Sequence, residues 1–121
     1  MKKSRKVSNN DLNILDCTFR DGGYYNNWNF NINLIKKYIS IMLKLDVKII
    51  EVGFRFLNVN EKLGILATTN DKLLKSLKIP RKIKVAVMIN AKEFLNNSNG
   101  TSEAIDKVFS KASNSRVDLV R

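Results

Sequence analysis

Apolar positions along the chain fall into alternating short runs and helical periodicities. From Leu12 to Phe19 the apolar residues Leu12, Ile14, Leu15, Cys17 and Phe19 predict a first strand, broken by Gly22 and Gly23, which enter positive φ without steric cost. Tyr24 to Phe30 reads as an Asn-rich loop with four aromatics. From Asn31 the period becomes helical, with Ile35, Tyr38, Ile39, Met42 and Leu45 on one face and Lys36, Lys37 and Lys44 on the other. Val47–Phe54 is rich in β-branched residues and predicts a strand covered on both faces. After a connection from Arg55 to Thr69, a helix is expected from about Asn70 to Lys78, with Thr69 or Asn70 as its cap and Pro80 beyond its end. Ile83–Asn90 predicts the third strand. Ser102–Ala112 predicts a helix that buries Ala104, Ile105, Val108, Phe109 and Ala112, and Arg116–Val120 predicts a fourth strand.

The resulting order, β-α-β-α-β-α-β, implies parallel strands joined by right-handed crossovers. It fits an open doubly wound sheet or the first half of a (β/α)8 barrel. No helix follows the last predicted strand to cover its apolar edge, which favours the half-barrel.

Two places in this pattern carry polar groups where a strand does not accept them cheaply. Asp16, Arg20 and Asp21 cluster at the carboxyl end of the first strand, where α/β folds bind ligands. Glu51 stands inside the apolar second strand, and a carboxylate there needs a cation or a metal beside it. A local Arg20–Asp21 salt bridge is the simpler reading of the first cluster, and the pairing with Glu51 weighs against it.

Composition narrows the rest. A hydrophobic fraction of 44%, one Pro and five Gly describe a globular domain in 121 residues. The single Cys17 excludes an internal disulfide and fits a reducing, cytoplasmic setting. No apolar run approaches the roughly 20 residues of a membrane span. The net charge of +11 raises nucleic-acid binding as a third hypothesis. The lysines are spread mostly singly over the helices and do not interleave with aromatics, which weighs against it. Residues 1–10 read as a basic flexible tail and 11–121 as the domain.

The run Asp16-Cys17-Thr18-Phe19-Arg20-Asp21-Gly22 resembles the Asp-x-Thr-Leu-Arg-Asp-Gly signature of the DRE-TIM metallolyases. That superfamily includes hydroxymethylglutaryl-CoA lyase, 4-hydroxy-2-oxovalerate aldolase and the carboxyltransferase domain of pyruvate carboxylase. Asp21-Gly22-Gly23-Tyr24, Asn26 to Phe30, Ile50 to Arg55 and Val85 to Asn90 are similar to an aldolase-like branch of it.

The resemblance implies a (β/α)8 barrel and a metal-dependent carbon–carbon lyase or aldolase acting on a 2-oxo acid through an enolate. It implies Asp21 as a ligand of Mg²⁺ or Mn²⁺, Arg20 as the group holding the enolate oxygen, and Glu51 as the residue that orients Arg20 or the metal's water shell. Thr18 would line the substrate pocket. Tyr24 stands where related aldolases carry an acid/base His. The family's His-x-His metal pair has no counterpart, because the chain contains no His. The chain therefore reads as the amino-terminal half of such an enzyme, inactive alone. The alternative is a non-catalytic half-barrel that assembles with a complementary chain or with itself.

Overall fold

The computed structural model describes residues 12–121. The tail expected over residues 1–10 lies outside the described residues. The elements are β1 (Leu15–Asp16), α1 (Thr18–Asn26), α2 (Ile32–Lys44), β2 (Ile49–Phe54), α3 (Ile65–Thr68), α4 (Asp71–Leu77), β3 (Lys84–Met88), α5 (Ala91–Leu95), α6 (Thr101–Val108) and β4 (Leu119–Val120), with a 3-10 turn at Ala112–Asn114. The four strands form one parallel sheet in the order β1-β2-β3-β4. A doubly wound sheet reverses its strand order at a switch point, and among the described strands there is no reversal. The sheet is that of a partial, barrel-like α/β fold.

Local chemistry explains where three of the helices start. Asn31, Asn70 and Asn90 each accept a hydrogen bond from a backbone N–H of the first turn of α2, α4 and α5. The core forms where α2 and α4 lay Ile35, Tyr38, Ile39, Leu74 and Leu77 against Ile50, Val52, Val85 and Val87 of the central strands.

The first strand and its turn depart from the sequence reading. Only Leu15–Asp16 is strand, and Thr18–Asn26 is helical through both glycines. Neither Gly22 nor Gly23 takes a positive φ. Gly23 is needed because the Trp28 indole lies against its Cα, so that an added Cβ would meet Trp28 Cδ1 at 1.9 Å. The chain turns back through Asn27 and Trp28, both left-handed, and Trp28 Nε1 donates to the Arg20 carbonyl at 2.9 Å. The expected aromatic loop is thus a clasp on the helix.

The predicted helix over Ser102–Ala112 also stops early, at Val108. Of its expected buried face, Ala104 is buried, Val108 and Phe109 are half-buried, and Ile105 and Ala112 are exposed. The reason is Arg55, whose fully buried guanidinium takes the Val108 carbonyl at 2.8 Å, the Thr69 carbonyl at 3.1 Å and the Asp71 carboxylate at 2.9 Å. Phe109 covers it, with its ring centroid 5.0 Å from the guanidinium carbon.

Asp71 anchors this knot. Burial alone would raise its pKa, but hydrogen bonds from Arg55, Ser115 and Ser110 outweigh that and bring it down to about 2. A carboxyl whose pKa is lower folded than unfolded contributes its full stability above the unfolded value, and loses it as pH falls toward the folded one. Asp71→Asn is therefore expected to cost about 2 kcal/mol at neutral pH and to flatten the loss of stability between roughly pH 4 and 2. Urea unfolding of both proteins across that window measures this, and an unchanged pH slope would remove Asp71 from the account.

Candidate active site

Arg20 and Asp21 occupy the first turn of α1, directly after β1, with the Asp16 carboxylate holding the Thr18 N–H at 3.1 Å and the Tyr38 hydroxyl at 2.5 Å. Burial of Asp16 opposes its ionisation, but the hydrogen bonds from Tyr38 and Thr18 prevail and lower its pKa. The strand-end bracket thereby fixes where α1 starts and where Arg20 points.

Arg20 Nε donates to Glu51 Oε1 at 2.7 Å, and Nη1 donates to Asp21 Oδ1 at 2.6 Å. The Glu51 side chain is 0% exposed, and the expectation that it needs a cation is met twice. Arg121 Nη1 donates to its other oxygen, Oε2, at 3.1 Å. Burial works against the charge on Arg20, but Glu51 and Asp21 more than offset this and raise its pKa.

Register explains the convergence. Glu51 pairs with Ala86 and Phe54 with Met88, so the ladder slips one residue at Val52. Residues 86 and 88 share a face of β3, and the bulge places Glu51 and Phe54 together on the same side. β4 pairs Leu119 with Ala86, and Arg121 continues it, donating to the Val87 carbonyl and accepting from the Ile89 N–H. Arg121 therefore stands on the Glu51 face too. It was missed in the sequence because it lies 70 residues from Glu51 and just past an apolar run, with no local feature to mark it.

The remaining candidates lie around this cluster. Thr18 is exposed at the start of α1. Tyr24 is 63% exposed, one helical turn from Arg20, and meets Trp28 and Phe54 edge-on at 4.9 and 6.1 Å. Its hydroxyl makes no hydrogen bond with Arg20, Asp21 or Glu51. Instead, it lines a cavity of about 380 Å³ with Phe54, Phe56, Met88 and Ile89 at the carboxyl ends of β2 and β3.

The donor set of the described residues does not make a divalent-metal site by itself. Asp21 Oδ1 accepts from Arg20, and Oδ2 accepts from the Cys17 thiol at 3.2 Å, which raises the thiol pKa together with burial. Among the described residues no three His, Cys, Asp or Glu side chains converge, whereas a hard divalent ion gathers about six oxygen ligands.

A solved structure shares this arrangement of strands and helices. The N-terminal domain of a putative aldolase from Bacteroides vulgatus superposes with a TM-score of 0.69 and is 37% identical. The match covers 91% of this chain and 34% of that one. The fold is aldolase-like. This chain spans about a third of the length of that protein. No protein-family model matches the chain, and no curated protein does. Among the described residues no helix is long and apolar enough to cross a membrane.

Proposed function

We propose that the chain supplies part of the active site of a carbon–carbon lyase or aldolase that acts on a 2-oxo acid through an enolate, in a (β/α)8 barrel of the DRE-TIM type. The observation that carries this reading is the pair of guanidinium groups joined through one buried carboxylate, with Arg20 beyond the carboxyl end of β1, Glu51 within β2 and Arg121 just past the end of β4. Breaking or making a bond next to a ketone leaves an electron pair on the enolate oxygen, and prepositioned N–H donors stabilise that charge. Arg20, held by Glu51 and Asp21, would face the oxyanion. Arg121, half exposed and fixed at one nitrogen by Glu51, would hold the substrate carboxylate with its free N–H groups. Thr18 would border the pocket, and Tyr24 with Phe54 would wall the side that receives the second carbon fragment. Asp21 would be this chain's one oxygen ligand to a divalent ion such as Mg²⁺ or Mn²⁺, with the other ligands supplied from outside residues 12–121.

A second reading, a half-barrel that assembles with a complementary chain or a second copy, draws on the apolar residues at the two sheet edges. Leu12 and Ile14 beside β1 are 70% and 69% exposed, and Leu119 and Val120 of β4 are 37% and 49% exposed.

Oxalate has the shape and charge of a pyruvate enolate and serves as the probe. Titrated into the chain, it is expected to shift the Arg20 and Arg121 side-chain N–H resonances saturably. Arg121→Met should weaken binding by about tenfold and Arg20→Met by more. Oxalate binding indifferent to both substitutions would sink the enolate reading. Sedimentation of the same sample addresses the second reading, which a folded monomer would defeat.

A further inference from the structure

We propose that the pocket at the amino-terminal ends of β3 and β4 binds a small phosphate-bearing molecule. It lies at the end of the sheet opposite Arg20 and Glu51, and rests on none of the residues of that cluster. The cavity measures about 400 Å³ and is lined by Lys75, Lys78, Arg81 and Arg116 together with Ser113 and Asn114.

No carboxylate lines it. Among the described residues Lys75, Lys78 and Arg81 have no acidic group within ion-pair distance. Three like charges brought to one cavity with no carboxylate in its lining repel one another, and an anion with more than one negative charge reduces that cost.

Arg116 gives the site a rigid floor. It is 8% exposed, and its Nη2 donates to the carbonyls of Pro80 at 3.1 Å and Ile83 at 2.6 Å, while Nη1 pairs with Asp118. Its Nε–H is buried and has no hydrogen-bond partner among the described residues. A buried donor left unsatisfied is a desolvation cost that nothing among the described residues offsets.

Lys78 adds a second irregularity. It caps α4 in the left-handed region, at φ 50°, where glycine is the cheaper residue. A lysine there keeps a cation at the pocket at a cost to the backbone. Phosphate fits better than a single carboxylate, because its three terminal oxygens and double charge match several donors at once. Leu74 and Ile79 offer an apolar wall to the carbon part of such a ligand.

Pyrophosphate and adenosine monophosphate are the probes, titrated into the full chain at low salt and followed by backbone amide shifts. Saturable shifts confined to residues 74–81 and 113–116 are expected. The double variant Lys78→Gly, Arg81→Ala should weaken binding at least about tenfold. Glycine relieves the left-handed position and Arg81 is exposed, so this variant keeps its fold, as circular dichroism would verify. Tighter binding of the nucleotide than of pyrophosphate would identify a nucleotide-type ligand, and the reverse a simpler phosphate. Equal binding by the double variant would overturn the site. So would shifts spreading to Lys36, Lys37 and Lys44, or a single-stranded oligonucleotide outcompeting both probes, since each describes a diffuse basic surface.

Discussion

Glu51→Gln is expected to lower the unfolding free energy by about 3 kcal/mol, the low end for removing one partner of a buried ion pair. Glu51 is fully buried and accepts from Arg20 at one oxygen and from Arg121 at the other. An amide keeps one acceptor, so whichever way it turns, an NH₂ group faces one of the two guanidiniums. The Arg20 side chain is only 15% exposed and cannot swing freely into water, so it bears most of the cost. Urea unfolding gives the change directly, with an unchanged slope marking a loss of stability rather than of compactness. Arg20→Met added to Glu51→Gln should cost much less than the sum of the two single changes, because the second removes a charge the first has already stranded. Strict additivity, or a loss under about 1 kcal/mol, would mean the three residues do not act as a unit.

Gly53→Ala is expected to be at least as damaging, at about 3 kcal/mol or more. A Cβ at this position would lie 2.1 Å from the Leu66 carbonyl oxygen and 2.6 Å from Thr69 Oγ1. The first of these is backbone of α3, which cannot rotate away as a side chain can, so β2 and α3 would have to separate. Gly22→Ala is the control, since its Cβ would meet only Phe30 Cζ, at 3.4 Å, within a helix where alanine gains about 0.5–1 kcal/mol over glycine. Thermal melts should therefore move in opposite directions for the two substitutions. A neutral Gly53→Ala would contradict the close approach of α3 to the strand.

What could be read from the sequence divides along the range of the interactions involved. β2, β3, α2 and α4 were legible because their apolar residues repeat at the spacing of the element that buries them. Glu51 was legible as well, as a charge in a place that demands a partner. α1 was not, because its turns run through Gly22 and Gly23, and the residue that makes those glycines necessary, Trp28, folds back from beyond the helix. The premature end of α6 was hidden for a similar reason. It depends on Arg55, 53 residues earlier, taking the Val108 carbonyl. Arg116 read as a strand residue, whereas its guanidinium is a buried clamp on the turn before β3. Arg121 had no local signature at all, and only the β3–β4 register brings it to Glu51.

The slip at Val52 makes β2 a strand with two phases. Before it, the alternation of side chains is set by Glu51 and the guanidiniums around it. After it, the same alternation is turned over, so that Gly53 meets α3 and Arg55 reaches the interior knot with Asp71. A strictly periodic strand would tie these positions together, because any change that reoriented one would reorient the other. With the phase broken between them, the ligand-facing chemistry and the scaffold-locking chemistry can vary independently between Glu51 and Arg55, the residue just past the end of β2.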